Sequence, residues 1–155
     1  MIDTSKLTPK WLAGFFDGEG SVTFTRDQSL QVVIAQSRED ILNAIADYFG
    51  FGVVKVNKRF AGHKPECTLR WCGKNAAKVL EVMLPHLIIK HRQAEIGIRM
   101  ATLMVGRGKI HVPAEIQKER NSLIAKNRSL NASHWSRRPK TDVSNSVLLQ
   151  EEYIQ

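Results

Sequence analysis

Residues 12–20 read LAGFFDGEG, an apolar segment that runs into two carboxylates set between glycines. Just upstream, Thr8-Pro9 has the form of an N-cap followed by proline at the first helical position. Residues 8–20 are therefore predicted to form one short helix with an acidic end. That end is chemically odd. A helix C-terminus already carries partial negative charge, and Asp17 and Glu19 add to it unless something positive compensates. Gly14 and Gly18 lie four apart, hence on one face, and Ala13 beside them is also small, so a second such helix can approach backbone to backbone. Phe15 and Phe16 are expected to reach back toward the core.

A chain of 155 residues, 43% hydrophobic and 25% charged, suits one domain with its own core. No apolar run approaches the roughly 18 residues of a membrane span, and the first ten residues lack a signal-peptide core. Cys67 and Cys72 are five apart, which on a strand points them to opposite faces and argues against a disulfide or shared metal. An intracellular protein is expected. The net charge of +8 and the pI near 9.8 favour a polyanionic partner. Between Arg107 and Lys140 there are nine Lys/Arg against two Glu, so most of the excess sits in the C-terminal third. The five histidines show no zinc or His-nuclease spacing, and no phosphate loop or dinucleotide fingerprint occurs.

Past Gly20 the pattern changes to alternation. In residues 21–27 (SVTFTRD) Val22 and Phe24 share a face, and in residues 30–36 (LQVVIAQ) Leu30, Val32 and Ile34 do, which reads as a hairpin. Residues 37–50 return to helical spacing, with Ser37 as N-cap, an apolar stripe of Ile41, Leu42, Ile45 and Phe49, and Gly50 as the stop. The order then repeats. Residues 52–59 place Val54 and Val56 inward; residues 67–73 set Leu69 and Trp71 against Thr68 and Arg70, although a one-residue shift there would expose Cys67, Leu69 and Trp71 instead. Helices are expected over 74–87, interrupted at Pro85, over 92–105, and from Pro113 to about Lys126. Residues 131–142 are nearly devoid of apolar side chains and read as an extended arm. The fold class is α+β: an antiparallel four-stranded sheet with helices on one face. The other face, carrying Thr23, Thr25, Gln31, Lys55, Asn57, Thr68 and Arg70, is left to water or a ligand.

LAGFFDGEG resembles the signature of the LAGLIDADG homing endonucleases in Leu12, Ala13, Gly14, Asp17 and Gly20, with Glu19 at the position of that family's acidic metal ligand. The resemblance runs over roughly residues 8–105 and includes PHLIIKHRQA (85–94), similar to the segment that supplies the family's active-site lysine. It implies an αββαββα core with a saddle-shaped sheet over residues 1–106, followed by a basic helix and arm over 107–155 that contact DNA. Only one copy of the motif is present, which in this family implies a symmetric homodimer through Leu12, Ala13, Gly14, Phe15, Phe16 and Gly18.

The implied activity is hydrolysis of a phosphodiester in each strand of a long, nearly palindromic DNA site, leaving 3′ overhangs. Glu19 by its side chain and Gly18 by its carbonyl would hold Mg²⁺, with Mn²⁺ expected to substitute and Ca²⁺ to support binding without cleavage. Gln36 corresponds to a water-ordering position and Lys90 to the lysine beside the attacked phosphate. Asp17 reads as structural. Base readout falls to Thr23, Thr25, Gln31, Lys55, Asn57, Thr68 and Arg70, with phosphate contacts from Arg38, Arg59, Arg137, Arg138 and Lys140. The implied locations are a prokaryotic cytoplasm or an organelle interior. Intron RNA splicing maturases and non-catalytic regulators share this fold; the joint presence of Glu19, Gln36 and Lys90 argues against a degenerate copy.

Overall fold

The computed structural model describes residues 2–57, 66–104 and 111–133. After a short 3₁₀ turn at Thr4–Lys6 come α1 (Pro9–Glu19), β1 (Gly20–Phe24), β2 (Leu30–Gln36), α2 (Glu39–Phe49), β3 (Val53–Asn57), β4 (Glu66–Cys72) and α3 (Gly73–Met83). A 3₁₀ turn at Leu84–His86 then leads to α4 (His91–Thr102) and α5 (Ala114–Ser133). The expected αββαββα order is present, and the sheet is antiparallel in the order β1-β2-β4-β3.

Helix α1 starts as the sequence dictates: the Thr8 hydroxyl accepts from the Trp11 amide at 3.2 Å, with Pro9 inside the first turn. Its inner face buries Leu12, Ala13 and Phe16 completely, and each large side chain contributes about 2–3 kcal/mol of apolar burial. Gly20 is required where helix turns into strand, because a Cβ there would lie 2.1 Å from Cδ2 of Phe16. The Phe16 ring thus fills the space beside a bare backbone.

The sheet's inner face is built from Val22, Leu30, Val32, Ile34, Cys67, Leu69 and Trp71, all buried. This settles the register of β4. Trp71 is inside because its indole N–H has a partner, the Phe51 carbonyl at 2.7 Å, and its ring meets Phe49 edge-on at 5.6 Å. Cys67 is buried and Cys72 exposed, on opposite faces as their spacing requires.

Several expectations are corrected. The N-cap of α2 is Arg38, not Ser37, and it makes no side-chain capping bond; Ser37 instead gives both its N–H and its hydroxyl proton to Gln36 Oε1. Gly50 does end that helix, in the left-handed conformation at φ 74°. Val56 points to the helical side but is 42% exposed, because β3 is an edge strand. Thr25 lies just past β1 and closes the turn, its hydroxyl accepting from the Ser29 amide at 3.1 Å. Helix α5 runs seven residues beyond Lys126, so residues 131–133 of the expected arm are helical. It packs on α4 and along the free edge of β1, where Asn127 and Asn131 both donate to the Val22 carbonyl at 3.0 and 3.3 Å. That contact covers an edge that would otherwise be open to pairing.

Candidate functional site

The acidic end of α1 is neutralised in a specific way. The Asp17 carboxylate accepts from the amides of Ile88 at 2.8 Å, Ile89 at 3.2 Å and Lys90 at 2.9 Å, the turn that opens α4. Ile88 and Ile89 precede α4 and Lys90 is its N-cap, so the carboxylate sits at the positive end of that helix, where negative charge is favoured. The Lys90 ammonium returns the contact by donating to the Asp17 carbonyl. One aspartate thus fastens the end of α1 to the start of α4 and sets Lys90 beside the acidic turn. Lys90 is half-buried, and that burial lowers its pKa, opposed by the charges of Asp17 and Glu19.

Glu19, two residues on, is exposed and forms no hydrogen bond among the described residues. Gly18 is exposed beside it. An unengaged carboxylate and a peptide carbonyl are hard oxygen donors of the kind that suits Mg²⁺. No group of three His, Cys, Asp or Glu able to hold a metal occurs among the described residues, so the protein ligands one chain can offer here are few. Gln36 stands at the end of β2 and lines a cleft of about 430 Å³ that includes Trp11, Phe15 and Ser37 but not Lys90. Arg38 is exposed and held by Asp40, Nε to Oδ1 at 3.1 Å and Nη2 to Oδ2 at 2.5 Å.

The strand registers put the expected base-reading residues on one side of the sheet. Thr23 pairs with Gln31, Gln31 with Cys72, and Lys55 with Thr68, while Arg70 faces Val33 and Val53. Asn57 continues this face opposite Glu66 at the edge. Thr25 is the exception, being part of the turn. Arg59, Arg137, Arg138 and Lys140 lie outside the described residues.

The outward face of α1 differs from the expected one. Leu12, Ala13 and Phe16 are spent in the chain's own core, because a helix cannot show one face both inward and outward. The outer side of α1 carries exposed Trp11, Gly14 and Gly18, at spacings of three and four, and half-buried Phe15, which packs against the core as expected and stacks on Trp11 at 5.0 Å. A Cβ at Gly14 or Gly18 would meet nothing within 4 Å. Sequence reading missed Ile88 and Ile89, which are 86% and 53% exposed beside this stripe's acidic end. The signal was two isoleucines directly before the singled-out lysine.

Two outcomes follow for the Asp17 contact. Asp17→Ala leaves three amides without their acceptor and should cost about 2 kcal/mol, with faster hydrogen exchange confined to the amides of residues 88–90. For Lys90, the folded chain binds the proton less tightly than the unfolded chain. Stability from this group therefore rises with pH between the lowered folded pKa and the ordinary lysine value. Lys90→Met should remove that rise in urea titrations stepped from neutral to alkaline pH; a wild-type-minus-variant difference that stays flat would contradict it.

No protein-family model and no curated protein sequence matches the chain. Solved structures do. The homing endonuclease I-CvuI, in complex with its target, superposes with a TM-score of 0.62 at 23% identity, covering 83% of each chain. The homing endonuclease I-TnaI gives 0.62 at 24% identity over 84% of this chain and 97% of its own. The LAGLIDADG homing endonuclease I-GzeII, in complex with its DNA target, gives 0.57 at 24% identity over 75% of this chain and 42% of its own. The fold of this chain is that of the LAGLIDADG homing endonucleases.

Proposed function

We propose that this protein is a site-specific DNA endonuclease that acts as a symmetric homodimer and hydrolyses one phosphodiester per strand at a long, nearly palindromic site. The observation that carries the reading is the clamp of Asp17 on residues 88–90. It gathers an unengaged carboxylate, Glu19, and a half-buried ammonium, Lys90, at the end of a helix with a bare glycine stripe. The structural neighbours I-CvuI and I-GzeII were solved on DNA targets, and I-CvuI with Ca and with Mg, which supports both partner and cation classes.

Dimerisation would use Trp11, Gly14, Phe15 and Gly18, extended by Ile88 and Ile89, since these apolar or bare positions lie together on the outer side of α1 and the turn beside it. A two-fold contact there sets two copies of Glu19 near one axis, and the outward sheet faces then form one DNA-binding surface. Glu19 and the Gly18 carbonyl would hold Mg²⁺, which when bound supplies Lewis-acid charge to the scissile phosphate. Lys90 places its positive charge where the phosphate gains negative charge as water attacks and the 3′ oxygen leaves. Asp17 holds that ammonium through its backbone carbonyl, while its carboxylate is taken up by three amides. Gln36 Oε1 accepts both bonds from Ser37, so its amide would act through the N–H₂ group. Staggered cuts leaving 3′ overhangs are expected from two sites related by the two-fold axis.

Glu19→Gln should keep DNA affinity in Ca²⁺ and lose cleavage in Mg²⁺ by about a hundredfold or more, scored on the site recovered from a cleavage selection with a genomic library. Cleavage that survives this change would remove Glu19 from the metal site. Binding without cuts by the wild type would favour a regulator or an intron RNA maturase. Gly14→Leu should fold at least as stably as the wild type, because leucine is the better helix former by about 0.8 kcal/mol and its Cβ meets nothing. It should nevertheless sediment as a monomer. A dimeric Gly14→Leu protein would place the interface elsewhere.

A further inference from the structure

The turn that joins α3 to α4 is held at its tip and at its base by different residues. At the tip, the Asp17 carboxylate takes the amides of Ile88, Ile89 and Lys90. At the base, the His91 ring reaches back along the chain and sets Nδ1 3.2 Å from the Leu84 carbonyl. We infer that His91 is a positioning residue: its bond to Leu84 closes the turn so that the three amides meet Asp17 and Lys90 stands beside the acidic end of α1. Its part in cleavage rests on the function proposed above.

The acceptor defines the chemistry of this bond. A carbonyl can only accept, so the ring carries a proton on Nδ1. Leu84 is the C-cap of α3, and its carbonyl is one of those that a helix end leaves without an intrahelical partner. A histidine donor is well placed there. The same carbonyl takes the Leu87 amide at 3.3 Å, so two donors from separate points of the turn converge on one oxygen. The other ring nitrogen, Nε2, lies 3.3 Å from Glu95 Oε1 one helical turn on, which steadies the plane of the ring.

The turn depends on such bonds because its side chains give it little packing. Leu87 is buried, but Ile88 and Ile89 stand exposed. Past Leu87 the backbone is therefore placed by hydrogen bonds, and those to Asp17 and Leu84 bracket the segment. His91 is the first residue of α4 and Lys90 its N-cap, whose carbonyl accepts from the Ala94 amide at 2.9 Å. Tying the His91 ring to the end of α3 thus fixes where α4 begins, and with it the backbone from which the Lys90 ammonium reaches the Asp17 carbonyl. No hydrogen bond or ion pair joins His91 to Asp17 or Glu19 among the described residues, so its effect travels through the backbone of Lys90.

The test uses two side-chain amides that each copy one ring nitrogen. Asparagine Nδ2 falls where histidine Nδ1 lies, and glutamine Nε2 falls where histidine Nε2 lies. His91→Asn therefore keeps the donor to Leu84, and His91→Gln loses it. Two readouts are taken on the full chain: amide hydrogen exchange without DNA, and single-turnover cleavage beside affinity in Ca²⁺ on the site recovered by selection. His91→Gln should speed exchange at residues 88–90 and slow cleavage about tenfold with affinity unchanged. His91→Asn should match the wild type in both. Wild-type exchange in His91→Gln, or equal damage by the two variants, overturns the Nδ1 bond as the brace of the turn. Faster exchange in His91→Gln with cleavage intact overturns the positioning role. A wild type that cuts no DNA overturns the endonuclease reading and the role in cleavage with it, while exchange still decides whether His91 closes the turn.

Discussion

The Asp17 carboxylate is the point on which the rest of the site depends. Two helix ends meet there: α1 ends in acids at its negative pole, and the turn into the positive end of α4 presents three successive amides. One side chain answers both, and Lys90 closes the arrangement by donating to the Asp17 carbonyl. Because Asp17 is consumed in this way, Glu19 is the carboxylate left over. The division of labour between two acids two residues apart follows from geometry alone.

The sheet imposes the complementary constraint. Its inner face is fully occupied by the buried residues of β1, β2 and β4 and by the helices above them. Among the described residues its outer face receives no helix and carries serine, threonine, glutamine, asparagine, lysine, arginine, Glu66 and Cys72, with Val33, Ala35 and Val53 between them. A face of that composition is stable in water and also suited to the edges of bases. Helix α5 extends it sideways past β1, and its Asn127 and Asn131 give N–H groups to one edge carbonyl while Lys118, Lys126 and Arg128 are exposed.

Element order, the hairpins and the inward sets of β1, β2 and β4 were legible because period-2 alternation is strong where one face is buried. The motif helix was legible from Thr8-Pro9 and the glycine stop. Reading failed where tertiary context decides. Val56 alternates correctly but sits on an edge with little above it. Ser37 has the chemistry of an N-cap, yet Gln36 takes its hydroxyl proton. Leu12 and Ala13 were expected at an outer face because motif letters do not state which way a helix turns; their burial beside Phe16, which was expected to reach the core, fixes it. The pairing of Asp17 with residues 88–90 could not be read from either segment alone, since each supplies only half of the contact. Ile88 and Ile89 look like core residues in sequence and stand exposed in the fold.

The clamp also bears on the order in which the chain assembles. Asp17 and Lys90 are 73 residues apart, and the sheet and two helices lie between them. Closing so long a loop costs entropy that only the intervening structure can offset. The contact is therefore stable only in a chain whose hairpins and α3 hold the two helix ends together. An incompletely folded chain, even one with its sheet already formed, holds Glu19 and Lys90 apart. Assembly of the site is coupled to completion of the fold.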